Sequence, residues 1–249
     1  MRLMRKLLPL LYIILFVFSC RKEETNPESL PNSYSDQAVG KSANDLLSSN
    51  TYATLNVQIQ YMSGYEFDSA AISALTTYLN GICNKTGGIT ITQQPIAANG
   101  DTLNVGQVAV IEAQNRSAYT NDHTISVYVI ITDGYDTSGY VLGFAYRNTS
   151  ICLFGGDIFT NSGGTGQITR LALETSLLEH EFGHLMGLVN LGTPMLLPHQ
   201  DTVHGNHCTN PNCLMYYAID THDAFVSLAN KVPTLDSNCL NDLRGNGGK

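Results

Sequence analysis

Positive charge is scarce in this chain. Thirteen Lys and Arg stand against 21 Asp and Glu, a formal net charge of −8. That balance argues against nucleic acid or an anionic membrane surface as the main partner. Charge of either sign is sparse too, at 14% of residues, while 43% are hydrophobic, as suits a globular domain. No internal repeat and no second domain is visible, and about 200 residues suffice for one substantial core. The N-terminal apolar run, Leu7 to Phe18, has only twelve residues, short of the roughly 20 that a spanning helix needs. Gly163-Gly164-Thr165-Gly166 lacks the following Lys-Ser/Thr of a phosphate loop. Glutamate is absent from every position after Glu181, and that absence narrows the chemistry considered below.

Arg2, Arg5 and Lys6 precede the apolar run, and Val17-Phe18-Ser19-Cys20 follows it. The order reads as a cleaved signal peptide. A small residue directly before Cys resembles a bacterial lipoprotein signal, which implies removal of residues 1–19, acylation of Cys20 and residence in the cell envelope. A plain signal peptide or short anchor is the other reading. Removing the signal leaves ten basic side chains against 21 acidic ones. Residues 20–50, polar with little to pack, read as a tether, or else as a short inhibitory pro-segment. Residues 51–249 then form one functional domain, expected to act as a monomer and to touch the membrane through its lipid alone.

What is present is concentrated in His180-Glu181-Phe182-Gly183-His184-Leu185-Met186-Gly187. On a helix, positions i and i+4 share a face, so His180 and His184 can present imidazoles to one ion, with Glu181 beside them as a base. Leu171, Leu173, Leu177, Leu178, Phe182, Leu185 and Met186 recur at mainly helical spacing, predicting a largely buried helix over 169–186. Two buried histidines on one face need polar partners or a metal. Gly187 can take positive φ, end the helix and turn the chain back. Catalytic zinc usually takes three protein ligands and keeps a position for water. The missing downstream Glu excludes the class of sites with a glutamate ligand. His199, Asp201, His204, His207, Asp220, His222 and Asp223 stay open as the third ligand.

These residues resemble the metzincins, most closely the archaemetzincin pattern H-E-x-x-H-x-x-G-x-x-H-C-x4-C-x-M. The first half is His180, Glu181, His184 and Gly187; the second is His207-Cys208-Thr209-Asn210-Pro211-Asn212-Cys213-Leu214-Met215. Residues 188–206 lie between, nineteen where the pattern has two, and read as a loop insertion of small entropic cost. The resemblance implies one catalytic Zn2+ held by His180, His184 and His207, with His204 as the rival third ligand. It implies Met215 beneath the metal, Tyr217 near it as a helper in catalysis, and a zinc-dependent endopeptidase acting on peptide or protein substrates. The alternative is a non-catalytic binding or adhesion lipoprotein on a protease-like fold. The pattern continues to a C-x2-C pair that completes a second, structural zinc site, but only Cys239 follows Met215 here. A bridge between Cys208 and Cys213 is therefore expected instead, as an oxidising compartment permits.

The body predicts an α/β (α+β) domain with a twisted mixed sheet, an active-site helix and a loop-rich C-terminal part. Strands are expected at 55–61, 89–92, 107–112, 126–131, 140–146 and 151–154, a helix at 68–82, and a loop at 155–166. Val141 to Tyr146 resembles the metzincin edge strand on which a peptide would lie.

Overall fold

The computed structural model describes residues 32–224 and 231–249. The signal segment 1–19, Cys20 and the start of the tether lie outside them. In chain order the elements are α1 (Ala43–Leu47), β1 (Thr54–Met62), α2 (Ser69–Ile82), β2 (Gly88–Ile96), β3 (Thr102–Leu103), α3 (Val105–Asn115), β4 (Thr124–Thr132), β5 (Tyr135–Asp136), β6 (Gly143–Arg147), β7 (Ser150–Phe154), α4 (Gly155–Thr160), α5 (Arg170–Leu185), β8 (Gln200–Asp201), β9 (His207–Cys208) and α6 (Ser237–Gly245). The main sheet has the order β2-β1-β4-β7-β6, parallel except for β6, which runs antiparallel to β7 at one edge. This is the mixed α/β architecture that the sequence predicts.

Strand β4 shows why apolar residues fill both of its faces. Ile125, Val127, Val129 and Ile131 enter the main core, while Tyr128 and Ile130 enter a second one on the opposite face. A strand covered on both faces has no polar side to keep. On the first face, α2 buries Ala71, Leu75, Leu79 and Ile82 and packs against α5. On the second, Val108 and Ile111 of α3 cover Met62, Phe154 and Cys152.

Three local expectations differ from the structure. Residues 107–112 belong to helix α3, not to a strand. Asn104 and Gln107 form a reciprocal capping box at its start, a helix signature that outranks the apolar content of the run. Residues 155–160 form helix α4 ahead of the expected loop. The tether does not extend to residue 50: Leu46 and Leu47 are fully buried in the main core. The Asn148 side-chain amide donates to Tyr34 O and to Ser42 Oγ, both at 2.7 Å. Two adjacent leucines are enough to dock an otherwise polar segment.

Candidate active site

Helix α5 begins at Thr169, whose Oγ1 accepts the Ala172 amide, and every residue from Ala172 to Leu185 is buried. It ends as its glycine requires. Gly187, at φ 80°, donates its amide to His184 O, and the Leu188 amide donates to Gly183 O. This double bond pattern is a Schellman turn. It brings Leu188 O back to 3.2 Å from His184 Nδ1. The glycine that stops the helix thus also supplies the partner that orients a histidine.

Each of the three family-implied ligands is oriented in the same way. His180 Nδ1 lies 2.7 Å from Leu214 O, and His207 Nδ1 lies 2.7 Å from His204 O. A ring nitrogen facing a carbonyl must donate, so each neutral imidazole keeps its lone pair on Nε2. Those lone pairs converge. His180 Nε2 and His184 Nε2 are 3.1 Å apart, and the His207 ring centroid lies 5.3 and 5.0 Å from theirs. Two lone pairs in such proximity repel unless a cation or proton lies between them. Burial holds the pKa of His180 down to about 4 and that of His184 to about 3, so both are neutral near pH 7 and able to ligate. His207 is also lowered by burial, but its contact with Asp220 more than offsets this and the net shift is upward. His207 Nε2 is buried without a hydrogen-bond partner. The donor chemistry and orientation fit a zinc ion.

His204, the rival third ligand, is not in this group. Its Nδ1 contacts Asp201 at 2.6 Å and its ring stacks on Tyr217 with centroids 3.7 Å apart. Its backbone carbonyl orients His207 instead. His199 and His222 also lie apart, against Asp242 and Asp157 respectively.

Glu181 is fully buried, neither carboxylate oxygen has a hydrogen-bond partner, and burial together with nearby Asp220 raises its pKa well above the usual carboxylate range. It lies beneath edge strand β6, close to Gly143. Met215 packs directly under the helix at Gly183, where any Cβ would overlap its sulfur. An open cavity of about 380 Å³ adjoins Glu181, His184 and His207, walled by Val39, Phe144, Ala145 and Leu191. Val39 comes from the segment read as tether and Leu191 from the insertion, and neither carries a sequence signal of that role.

The expected Cys208–Cys213 bridge is not present; both are free thiols, as are Cys83, Cys152 and Cys239. The two cysteines face a third. Cys208, Cys213, Cys239 and Asp236 bring one ligand atom each within 4.8 Å of one another. Hydrogen bonds from the neighbouring thiols pull the pKa of Cys213 down, favouring its thiolate. His199 Nε2 donates to Asp242 at 2.7 Å, and its Nδ1 is 4.0 Å from Cys239 Sγ. A sequence signal for this cluster existed: Asp236-x2-Cys239 has the spacing of the family's C-x2-C pair, with Asp for the first Cys.

No family model matches the sequence, and no curated protein matches it. Solved structures do. The archaemetzincin of Methanopyrus kandleri superposes with a TM-score of 0.52 at 15% identity, over 78% of this chain and 96% of that one. Metalloproteinase-II of Bacteroides fragilis gives a TM-score of 0.45 at 13% identity, over 80% of this chain and 54% of that one. The first likeness establishes the fold as that of the archaemetzincin, and this chain carries a histidine cluster at the end of its buried helix.

Proposed function

We propose that the chain is a zinc-dependent endopeptidase, with His180, His184 and His207 as ligands and Glu181 as general base. The observation that supports this reading most is the shared orientation of the three imidazoles, each Nδ1 on a carbonyl and each Nε2 turned inward beside a buried, unpartnered carboxylate. Zinc at this position would supply Lewis acidity and a water of pKa near about 7.

The chain's own residues perform the rest. Strand β6 offers an outer edge to which a substrate can add as an extra strand, binding through its backbone whatever its side chains. Glu181, buried beside His184 and His207, accepts as the carboxylate the proton of the attacking water, holds it, and returns it to the departing amine. Tyr217 lies on the turn beside His207 and Asp220, where its phenol can donate to the carbonyl oxygen as charge develops. We further propose that Cys20 carries a lipid and that the protein acts in the cell envelope. Beyond the single ion that the sequence predicts, a second, structural ion would be held by Cys208, Cys213, Cys239 and Asp236, whose ligand atoms lie together.

The test is cleavage of a diverse peptide library by the purified chain and by Glu181→Ala, with and without a chelator. Cuts made only by the metal-loaded wild type support the reading. A wild type that binds zinc at its histidines but cuts nothing would replace the peptidase with a binding protein on the same fold.

A further inference from the structure

The histidine cluster has a fourth member that the three-ligand reading does not use. Asp220 follows the short turn Tyr217–Ile219, and its Oδ2 lies 3.5 Å from His207 Nε2 and 3.9 Å from His180 Nε2. The four ligand atoms of His180, His184, His207 and Asp220 all fall within 4.8 Å of one another. Because all three Nδ1 atoms face carbonyls, the carboxylate meets the Nε2 side of every ring. A carboxylate facing three Nε2 atoms is repelled by their lone pairs unless a proton or a cation lies among them.

The backbone holds Asp220 in that position. Its carbonyl accepts the Leu142 amide at 2.7 Å, Thr221 bridges Val141, and the His222 amide donates to Tyr140 O at 3.1 Å. Residues 140–142 are thus paired with 220–222, and the same stretch of chain continues as the substrate-binding edge β6. The other carboxylate oxygen of Asp220, Oδ1, is buried without a hydrogen bond, so no competing partner draws the side chain away.

We propose that Asp220 is a fourth protein ligand to the zinc, closing the site until substrate or another ligand displaces it. Resting on the zinc-peptidase reading, this makes the substrate-free chain latent. Zinc with four protein ligands is the closed, structural type of site, and an open position for water requires Asp220 to withdraw.

The experiment compares wild type, Asp220→Ala and Asp220→Asn as full chains loaded with zinc. Acetohydroxamate, a small zinc-binding probe, is titrated calorimetrically, and zinc retention is measured against a competing chelator. The variants should bind acetohydroxamate at least about tenfold more tightly, and should lose zinc to at least about tenfold less chelator. Equal hydroxamate affinity in wild type and variants, or equal zinc retention, would overturn the proposal. Should Asp220→Ala fail to fold, Asp220→Asn carries the comparison, since a neutral amide is a poor zinc ligand of nearly the same shape. Peptide cleavage that depends on Glu181 is scored separately. Cleavage with equal hydroxamate binding sinks only the role of Asp220, whereas a wild type that takes up no zinc at its histidines sinks both readings.

Discussion

Val189 and Asn206 are bonded to each other twice. The Val189 amide donates to Asn206 O at 3.2 Å, and the Asn206 side-chain amide donates to Val189 O at 3.0 Å. Val189 stands one position inside the start of the 188–206 insertion, and Asn206 is its last residue. Their pairing closes the loop with His207 beside His180 and His184, and β8 and β9 continue the closure as a short antiparallel ladder. Asn206→Ala should cost about 1–2 kcal/mol, the penalty of leaving the buried Val189 carbonyl without its donor. Zinc retention should weaken with it. Denaturant unfolding and chelator competition measure the two effects, and unchanged zinc retention would mean that the ladder alone positions His207.

Replacing the base isolates the chemistry from the metal. Glu181→Ala should lower peptide cleavage by at least about 10²-fold while leaving zinc content intact. Metal analysis beside a cleavage assay is sufficient. Loss of zinc in this variant would make Glu181 a ligand and not a base.

At Gly183 the usual helix preference should invert. Ala normally gains about 1 kcal/mol over Gly inside a helix, but here its methyl would collide with Met215, itself fully buried. Gly183→Ala should therefore destabilise by about 1–3 kcal/mol. The double variant with Met215→Ala should lose less than the sum of the two single losses, and a double-mutant cycle reads the coupling.

Glu179 sets a pH dependence of known sign. It is buried on α5, and desolvation raises its pKa from 4.5 to about 7. The folded chain holds that proton over a range where the unfolded chain has released it. Stability from this group is thus fully present below pH 4.5 and is lost as pH rises through about 7. Glu179→Gln should leave stability unchanged near pH 4 and raise it by up to about 3 kcal/mol at pH 8. Unfolding curves at the two pH values decide it, and equal gains at both would show that the effect is packing.

Metal counting tests the thiol cluster. The reduced, zinc-loaded chain should carry two ions, and Cys239→Ser one, with a lower melting temperature. A count of one in both, with melting unchanged, would leave the cysteines as core thiols.

The helix, its two histidines and the base were legible because their chemistry is local: five consecutive residues and a 3.6-residue period specify them. His207 was legible only through the family pattern, since the nineteen intervening residues carry no periodicity that foretells the Val189–Asn206 closure. Residues 107–112 suit a strand or a helix by apolar content alone, and only the capping box of Asn104 and Gln107 distinguishes the two. The thiol cluster is hard to see in the sequence because Asp236 stands where the pattern has a cysteine, and His199 lies 40 residues from Cys239. Val39 had no local signal, as its role comes from a docking decided by Leu46 and Leu47. Asp220 was one of several acids in a loop, and only the ladder with residues 140–142 singles it out.

That docking also fixes a distance. The Asn32 side-chain amide donates to Thr120 O at 2.8 Å and pins the chain twelve residues after Cys20. Twelve residues span at most about 40 Å however they are arranged. With Cys20 acylated as proposed, Asn32 would lie within that reach of the bilayer, and the cleft no farther than the width of the domain beyond it. Substrates would then be selected first by where they are, as proteins at or crossing that narrow layer, before any side chain is read.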